Sequence, residues 1–321
     1  MKYFSLENSK YKINLSKISF GAGVFDNYNK YSEYFKYLDY YFEMGGKVID
    51  TARVYCDWLP EGKDTSEKII GKWLKSRGIA RDEVIIVTKC SHPPLDNMKK
   101  SRLSKEDIDT DITRSLELIG TDYVDILFLH RDNKNVAVSG IIDGLNDVMS
   151  KKMTKFIGAS NWTGERIMEA NYYANKSSQE GFSISQISYS LAITTPKECH
   201  DETLVCMNPA EHKFYSKNDF PVMAFASQAK GFFSKYQAMD ELTQKINARF
   251  YSEQNVKRAE VVAKLAKEKG VSPATISIAY ITSQKMPATA IIGMSSIDQL
   301  KDSLSATDLT LTNEEIKLLD I

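Results

Sequence analysis

The sequence predicts an α/β fold, a closed (β/α)8 TIM barrel formed as one domain over residues 1–321, with an N-terminal β-hairpin and extra loops or helices at its rim. Three observations carry that expectation. Eight short apolar runs bounded by polar residues read as buried strands, and amphipathic stretches with apolar residues at helical spacing separate most of them. Such alternation implies a parallel sheet, because parallel strands need crossover connections. The chain is also long enough for a barrel, which commonly takes ~250 residues or more as one unit.

The elements follow in order. Residues 3–16, with Glu7-Asn8-Ser9 in the middle, read as a hairpin placed to cover the N-terminal end of the barrel. The first strand is expected at 17–23 and the first helix at 32–44. In the second strand, 47–52, Val48-Ile49 leads into Asp50, with Tyr55 five residues later and a helix at 66–77. The third, 83–90, runs Val84-Ile85-Ile86-Val87-Thr88 into Lys89. A helix at 104–120 opens on Ser104-Lys105-Glu106-Asp107, a start signal with acidic residues in its first turn. The fourth strand, 124–131, carries Ile126-Leu127-Phe128-Leu129 into His130. Strands at 155–161, 183–189, 222–227 and 288–294 complete the eight, with helices at 140–152 and 164–174. The segments 193–220 and 231–254 are long and mixed, as expected of loops that cover a ligand. A last helix at 312–319 is expected on the outside.

Composition narrows the function class. Lys plus Arg equal Asp plus Glu at 42 each, so no global field favours nucleic acid or an anionic membrane. A small-molecule partner is expected. The start, Met1-Lys2-Tyr3-Phe4-Ser5-Leu6-Glu7, lacks the apolar core of a signal peptide, and no apolar run approaches the roughly 18 residues of a membrane span. Cys56, Cys90, Cys199 and Cys206 are therefore expected as reduced thiols in a cytoplasmic protein. The cluster Cys199-His200-Asp201, Cys206 and His212 lacks the tight ligand spacing of a metal site, and no metal is expected there.

Catalytic groups in such barrels sit at the C-terminal ends of the strands. Asp50, Lys89 and His130 each follow the apolar part of a strand, and Tyr55 lies on a loop that can fold over the mouth. A carbonyl that accepts hydride must be protonated as charge develops on its oxygen. Tyr55 can supply that proton, an ammonium such as Lys89 would stabilise the phenolate, Asp50 would hold Lys89, and a neutral His130 would orient the carbonyl. Two other readings stay open: a Schiff-base aldolase using Lys89, and a catalytically silent barrel that binds cofactor as a regulatory subunit.

These residues resemble the aldo-keto reductase family. The resemblance rests on Val48-Ile49-Asp50-Thr51-Ala52-Arg53-Val54-Tyr55, Val87-Thr88-Lys89 and Leu127-Phe128-Leu129-His130-Arg131-Asp132. It continues through Ile157-Gly158-Ala159-Ser160-Asn161-Trp162, Gln186-Ile187-Ser188-Tyr189-Ser190 and Ala290-Ile291-Ile292-Gly293, in order along essentially the whole chain. It implies an NAD(P)-dependent oxidoreductase with Tyr55 as general acid, Lys89 and Asp50 as its tuning pair and His130 as the carbonyl-orienting residue. Ser160, Asn161 and Gln186 are implied to hold the nicotinamide carboxamide, an amide with one acceptor and two donors. For Ser160 and Asn161 the bland alternative is a helix cap before Glu165. Phe225 is implied to stack on the nicotinamide, and Ala226-Ser227-Gln228-Ala229-Lys230-Gly231 to lie over the pyrophosphate.

The run Gly293-Met294-Ser295-Ser296-Ile297-Asp298-Gln299 departs from relatives that favour NADPH, which carry Lys or Arg here for the 2'-phosphate. Ser295 and Ser296 can still bond a phosphate at a helix start. NADP is the expected cofactor and NAD the alternative. Trp58, His92 and Trp162 are candidates for the substrate pocket, whose mixed aromatic and polar rim suits a sugar-like or small hydroxylated carbonyl compound.

Overall fold

In the computed structural model, which describes residues 1–236 and 248–321, eight parallel strands close a barrel in the order β10-β3-β4-β5-β6-β7-β8-β9. An antiparallel hairpin, β1 (Tyr3–Glu7) and β2 (Lys12–Ser16), precedes it in the register Tyr3↔Ser16. The barrel strands are β3 (Ile18–Gly21), β4 (Val48–Asp50), β5 (Ile85–Cys90), β6 (Val124–Leu129), β7 (Thr154–Ser160), β8 (Ile184–Ser188), β9 (Val222–Phe225) and β10 (Ala288–Ile292). Closure is made by β10, whose Ala290 pairs with Ile18 on one side and Ala224 on the other.

The strands read as continuous apolar runs because both of their faces are buried. Inward-facing Val48, Val87, Ile126, Phe128, Phe156, Ile184 and Met223 pack with Leu6 and Leu15 of the hairpin in one cluster. The hairpin thereby closes the barrel end that lies away from the site. Between Phe128 and Ile184 only a glycine fits, since a Cβ on Gly158 would stand 2.5 Å from the Phe128 ring and 2.9 Å from the Ile184 carbonyl oxygen.

Helices ring the barrel: α1 (Tyr31–Glu43), α2 (Thr65–Arg77), α3 (Lys105–Ile119), α4 (Val138–Ser150) and α5 (Gly164–Lys176). The start signal at Ser104 is realised as a capping box with Asp107, and Gly120 ends α3 at φ 73°. The segment 193–220 is not all loop. Asn208 caps and Pro209 opens α6 (Pro209–Asn218), the residue types that favour a helix start. Likewise 231–254 begins with a single turn, α7 (Phe232–Lys235), and runs into α8 (Glu253–Lys269); the remainder of that expected loop, 237–247, lies outside the described residues. The chain continues through α9 (Pro273–Thr282), α10 (Ile297–Ser305) and α11 (Asn313–Leu319). Among the described residues no helix is long and apolar enough to cross a membrane.

Candidate active site

Asp50 ends β4, Lys89 lies one residue from the end of β5, and His130 follows β6, so three adjacent strands present them at one rim. The Lys89 ammonium sits at the centre. Its Nζ donates to Asp50 Oδ1 and Oδ2 at 2.9 Å each, to the Thr51 carbonyl at 2.8 Å and to Tyr55 Oη at 2.9 Å. An ammonium has three donors and no acceptor, so these partners use all it has. Lys89 and Asp50 are each 1% exposed. Burial alone would lower the Lys89 ammonium, but the Asp50 carboxylate and Tyr55 outweigh it and hold it above its ordinary value. A charged, fully bonded lysine is a poor Schiff-base nucleophile.

At Tyr55 the balance tips the other way. Burial pushes the phenol above its ordinary value, and the Lys89 charge only partly opposes it. The phenol therefore keeps its proton at neutral pH, as a donor must. Burial, followed by the charges of Arg131 and Lys89, drives the His130 imidazole well below its usual range, so it is neutral. Its Nδ1 is sealed without a partner. With the proton on Nε2, only a weak acceptor is left unsatisfied. The His130 ring lies 5.9 Å from Tyr55 and 4.7 Å from His92, and Trp58 lies 6.4 Å from Tyr55.

A cavity of about 610 Å³ leads away from Asp50 and Tyr55. It brings together Phe225, at the end of β9, and Ala226, Ser227, Gln228 and Gly231 from the segment that follows, with Gly293, Ser295 and Gln299 after β10. Two side chains lace these loops: Ser227 Oγ donates to the Ile291 carbonyl at 2.6 Å, and Gln228 accepts from Gly293 N at 3.0 Å while donating to Ser303 Oγ at 2.9 Å. Lys230, Lys235 and Asp302 also line the cavity, and sequence reasoning did not single them out as site residues. Lys230 stood inside the quoted loop run, whereas Lys235 and Asp302 left no signal of their own.

Ser160 ends β7, Asn161 follows it and Gln186 lies within β8, paired with Ser160; none of the three is on the wall of this cavity. Asn161, at φ 59°, donates to the His130 carbonyl and Ser160 Oγ and accepts from Val205 N at 3.1 Å. Neither residue caps α5, since that cap is Thr163. Gln186 donates to Asp50 Oδ1 at 2.8 Å, and no described donor reaches its Oε1. An open amide oxygen, two lysines and a long cleft ending at the buried ion pair fit a nicotinamide dinucleotide in chemistry and size.

Trp162 requires a correction. It is fully buried, with its ring 5.1 Å from Phe182 and Arg166 stacked 5.3 Å over it, so it belongs to the core and not to the substrate rim. Trp58 is 54% exposed beside Tyr55, and His92 stands against His130. Asp201, one of the loosely clustered metal-type residues, pairs instead with Arg131, which also bonds the His130 carbonyl and Thr203. Among the described residues no three His, Cys, Asp or Glu side chains converge as a metal site.

A closed parallel barrel with a buried Asp-Lys pair, a protonated tyrosine and a cavity of about 610 Å³ at its rim fits the class of cofactor-dependent oxidoreductases. The model of the aldo/keto reductase family matches residues 17–321, and the chain belongs to that family. It reduces carbonyl groups with NAD(P)H. The chain is similar to a probable aryl-alcohol dehydrogenase, AAD4, of Saccharomyces cerevisiae, at 27% identity over 305 residues, covering 89% of this chain and 86% of that one. It is 24% identical to norsolorinic acid reductase B of Dothistroma septosporum over 95% of this chain and 76% of that one. A solved structure of the thermostable aldo-keto reductase Tm1743 with the inhibitor epalrestat shares the fold, with a TM-score of 0.73 at 23% identity, over 100% of this chain and 99% of that one.

Proposed function

We propose that Tyr55 protonates the oxygen of an aldehyde or ketone whose carbonyl carbon receives hydride, with His130 donating from Nε2 to the same oxygen. The single observation that carries this is the contact of Lys89 Nζ with Tyr55 Oη, 2.9 Å, while the same ammonium is held by Asp50. As the proton leaves, the ammonium stabilises the phenolate. A reduced nicotinamide bound in the cleft would supply the hydride. Gln186 Oε1 and Ser160 Oγ are the groups proposed to hold its carboxamide, with Asn161 fixing Ser160, and Phe225 to pack against its ring.

NADP is the proposed cofactor over NAD. Lys230 and Lys235 on the cavity wall support it, as do Ser295 and Ser296 before α10, whose first-turn N–H groups favour an anion. The absence of a basic residue from Gly293 to Gln299 keeps the expected preference small. The substrate is proposed to be a small hydroxylated carbonyl compound, supported by the polar groups of His92 and Arg131 beside His130. The exposed Trp58 ring and the aryl-alcohol relatives favour an aromatic aldehyde as a second reading.

A panel of sugar-like, aliphatic and aromatic carbonyls assayed with NADPH and NADH tests these points. Oxidation of neither cofactor against any carbonyl removes the enzymatic reading. A tenfold or greater advantage for NADH in KM reverses the cofactor assignment.

A further inference from the structure

The rim beside His130 carries a second imidazole whose hydrogen-bonding sense is fixed. His92 Nδ1 lies 2.6 Å from the carbonyl oxygen of Pro93. A carbonyl oxygen only accepts, so Nδ1 must carry the proton, and Nε2 is then an acceptor with a free lone pair. No described residue donates to that Nε2, and it is not among the sealed side-chain atoms, so it is open. Burial and the nearby Arg131 charge hold His92 below its ordinary range, which keeps the imidazole neutral and its lone pair available at neutral pH.

The surroundings fix the ring in place. Its plane stands at 69° to the His130 ring with centroids 4.7 Å apart, and the backbone carbonyl of His92 accepts from Arg102 at 3.3 Å. Arg131, the neighbouring cation, donates to His130 O, Thr203 Oγ1 and Asp201, and none of these bonds reaches the His92 lone pair. The rim therefore offers two donors, Tyr55 Oη and His130 Nε2, for a carbonyl oxygen, and one open acceptor on a ring centred 4.7 Å from that of His130.

We infer that His92 Nε2 is a specificity-determining acceptor that reads a hydroxyl group on the carbon next to the reacting carbonyl, making 2-hydroxy aldehydes and 2-hydroxy ketones the substrate class of this site. This rests on the carbonyl-reductase reading above and narrows it. A bare carbonyl leaves the open Nε2 without a donor, whereas a vicinal hydroxyl would satisfy it.

The test compares hydroxyacetone with acetone, which differ by that one hydroxyl, in the wild type, His92→Phe and His92→Gln. The readout is the ratio of kcat/KM for the two ketones, so any loss common to both cancels. His92→Phe keeps a ring against His130 but has no acceptor, and the ratio should fall about tenfold, chiefly through KM for hydroxyacetone. His92→Gln returns an acceptor near the Nε2 position and should recover part of the ratio. An unchanged ratio in His92→Phe overturns the inference. Wild-type protein inactive on both ketones with either cofactor, and on the wider panel, overturns the carbonyl-reductase reading instead. Should His92→Phe fail to fold, the wild type alone decides: it should prefer hydroxyacetone to methoxyacetone, which keeps the oxygen but lacks the proton, and equal kcat/KM for the pair overturns the assignment.

Discussion

The side-chain amide of Gln186, on β8, donates to Asp50 Oδ1, on β4, at 2.8 Å across the barrel interior. Both residues are 1% exposed, and the same carboxylate oxygen accepts from Lys89 at 2.9 Å. Gln186 therefore ties β8 to the ion pair whose Lys89 contacts Tyr55. Gln186→Leu removes a buried donor from a charged acceptor, a loss of about 2 kcal/mol in unfolding free energy, and should lower kcat as Asp50 shifts. Denaturant unfolding and steady-state kinetics check both, and a variant of wild-type stability and kcat removes this linkage.

Tyr55→Phe keeps the ring that borders the cleft and removes only the hydroxyl. It should lose roughly 10²- to 10⁴-fold in kcat, the usual contribution of a positioned general acid, while cofactor Kd, read by fluorescence quenching, stays within about twofold. Full turnover in this variant would sink the mechanism.

Lys89→Met leaves the Asp50 carboxylate buried with no cation beside it. Breaking one side of a buried pair costs about 3–5 kcal/mol, whereas removing both charges costs far less. The double variant Asp50→Asn, Lys89→Met should thus unfold at higher denaturant than Lys89→Met alone, although both are inactive. A double variant less stable than the single would show that Asp50 is not stranded by the loss of Lys89.

Asp50, Lys89 and His130 were legible in the sequence because each ends an apolar strand, and the pleat and barrel closure then force strand ends onto one rim. Trp162 was not, because an aromatic after a strand looks the same whether it turns to the mouth or, as here, inward onto Phe182. The cleft wall was half legible. Ser227 and Gln228 stood in a recognisable run, but Lys235 enters through the one-turn helix α7, too short to leave a periodic pattern. The clasp from Gln228 to Ser303 joins residues 75 apart in sequence, and no local pattern encodes such a contact.

Glu67, on α2, accepts from the Thr88 hydroxyl at 2.7 Å, next to Lys89 in the chain, and its other oxygen is sealed without a partner. Burial pushes its carboxyl up from 4.5 to about 7. The folded-state value lies above the unfolded one, so the stability linked to this group is complete below about pH 4.5 and is lost as pH rises through about 7. The full loss is of order 3 kcal/mol. Glu67→Gln cannot ionise, and its unfolding free energy should lack this decline relative to wild type. Parallel pH profiles for the two proteins would place the Glu67 titration elsewhere.

Cofactor choice is testable at Gln299, where the cleft wall lacks a cation. Ser295 N and Oγ both donate to Gln299 Oε1, at 2.9 and 3.1 Å, in the first turn of α10, and Ser296 caps that helix by accepting from Gln299 N. A 2'-phosphate placed there would meet helix N–H groups and hydroxyls but no positive charge on this stretch, whose one charged side chain is the acidic Asp298. Gln299→Arg supplies one, and a charge-assisted bond from guanidinium to phosphate should raise the affinity for NADPH over NADH roughly tenfold. The substitution also breaks the tie to Ser295, a cost common to both cofactors, so the ratio of the two Kd values is the informative quantity. If that ratio does not move, the phosphate does not lie at the start of α10, and the lysines of the loop after β9 become the anion contacts that matter.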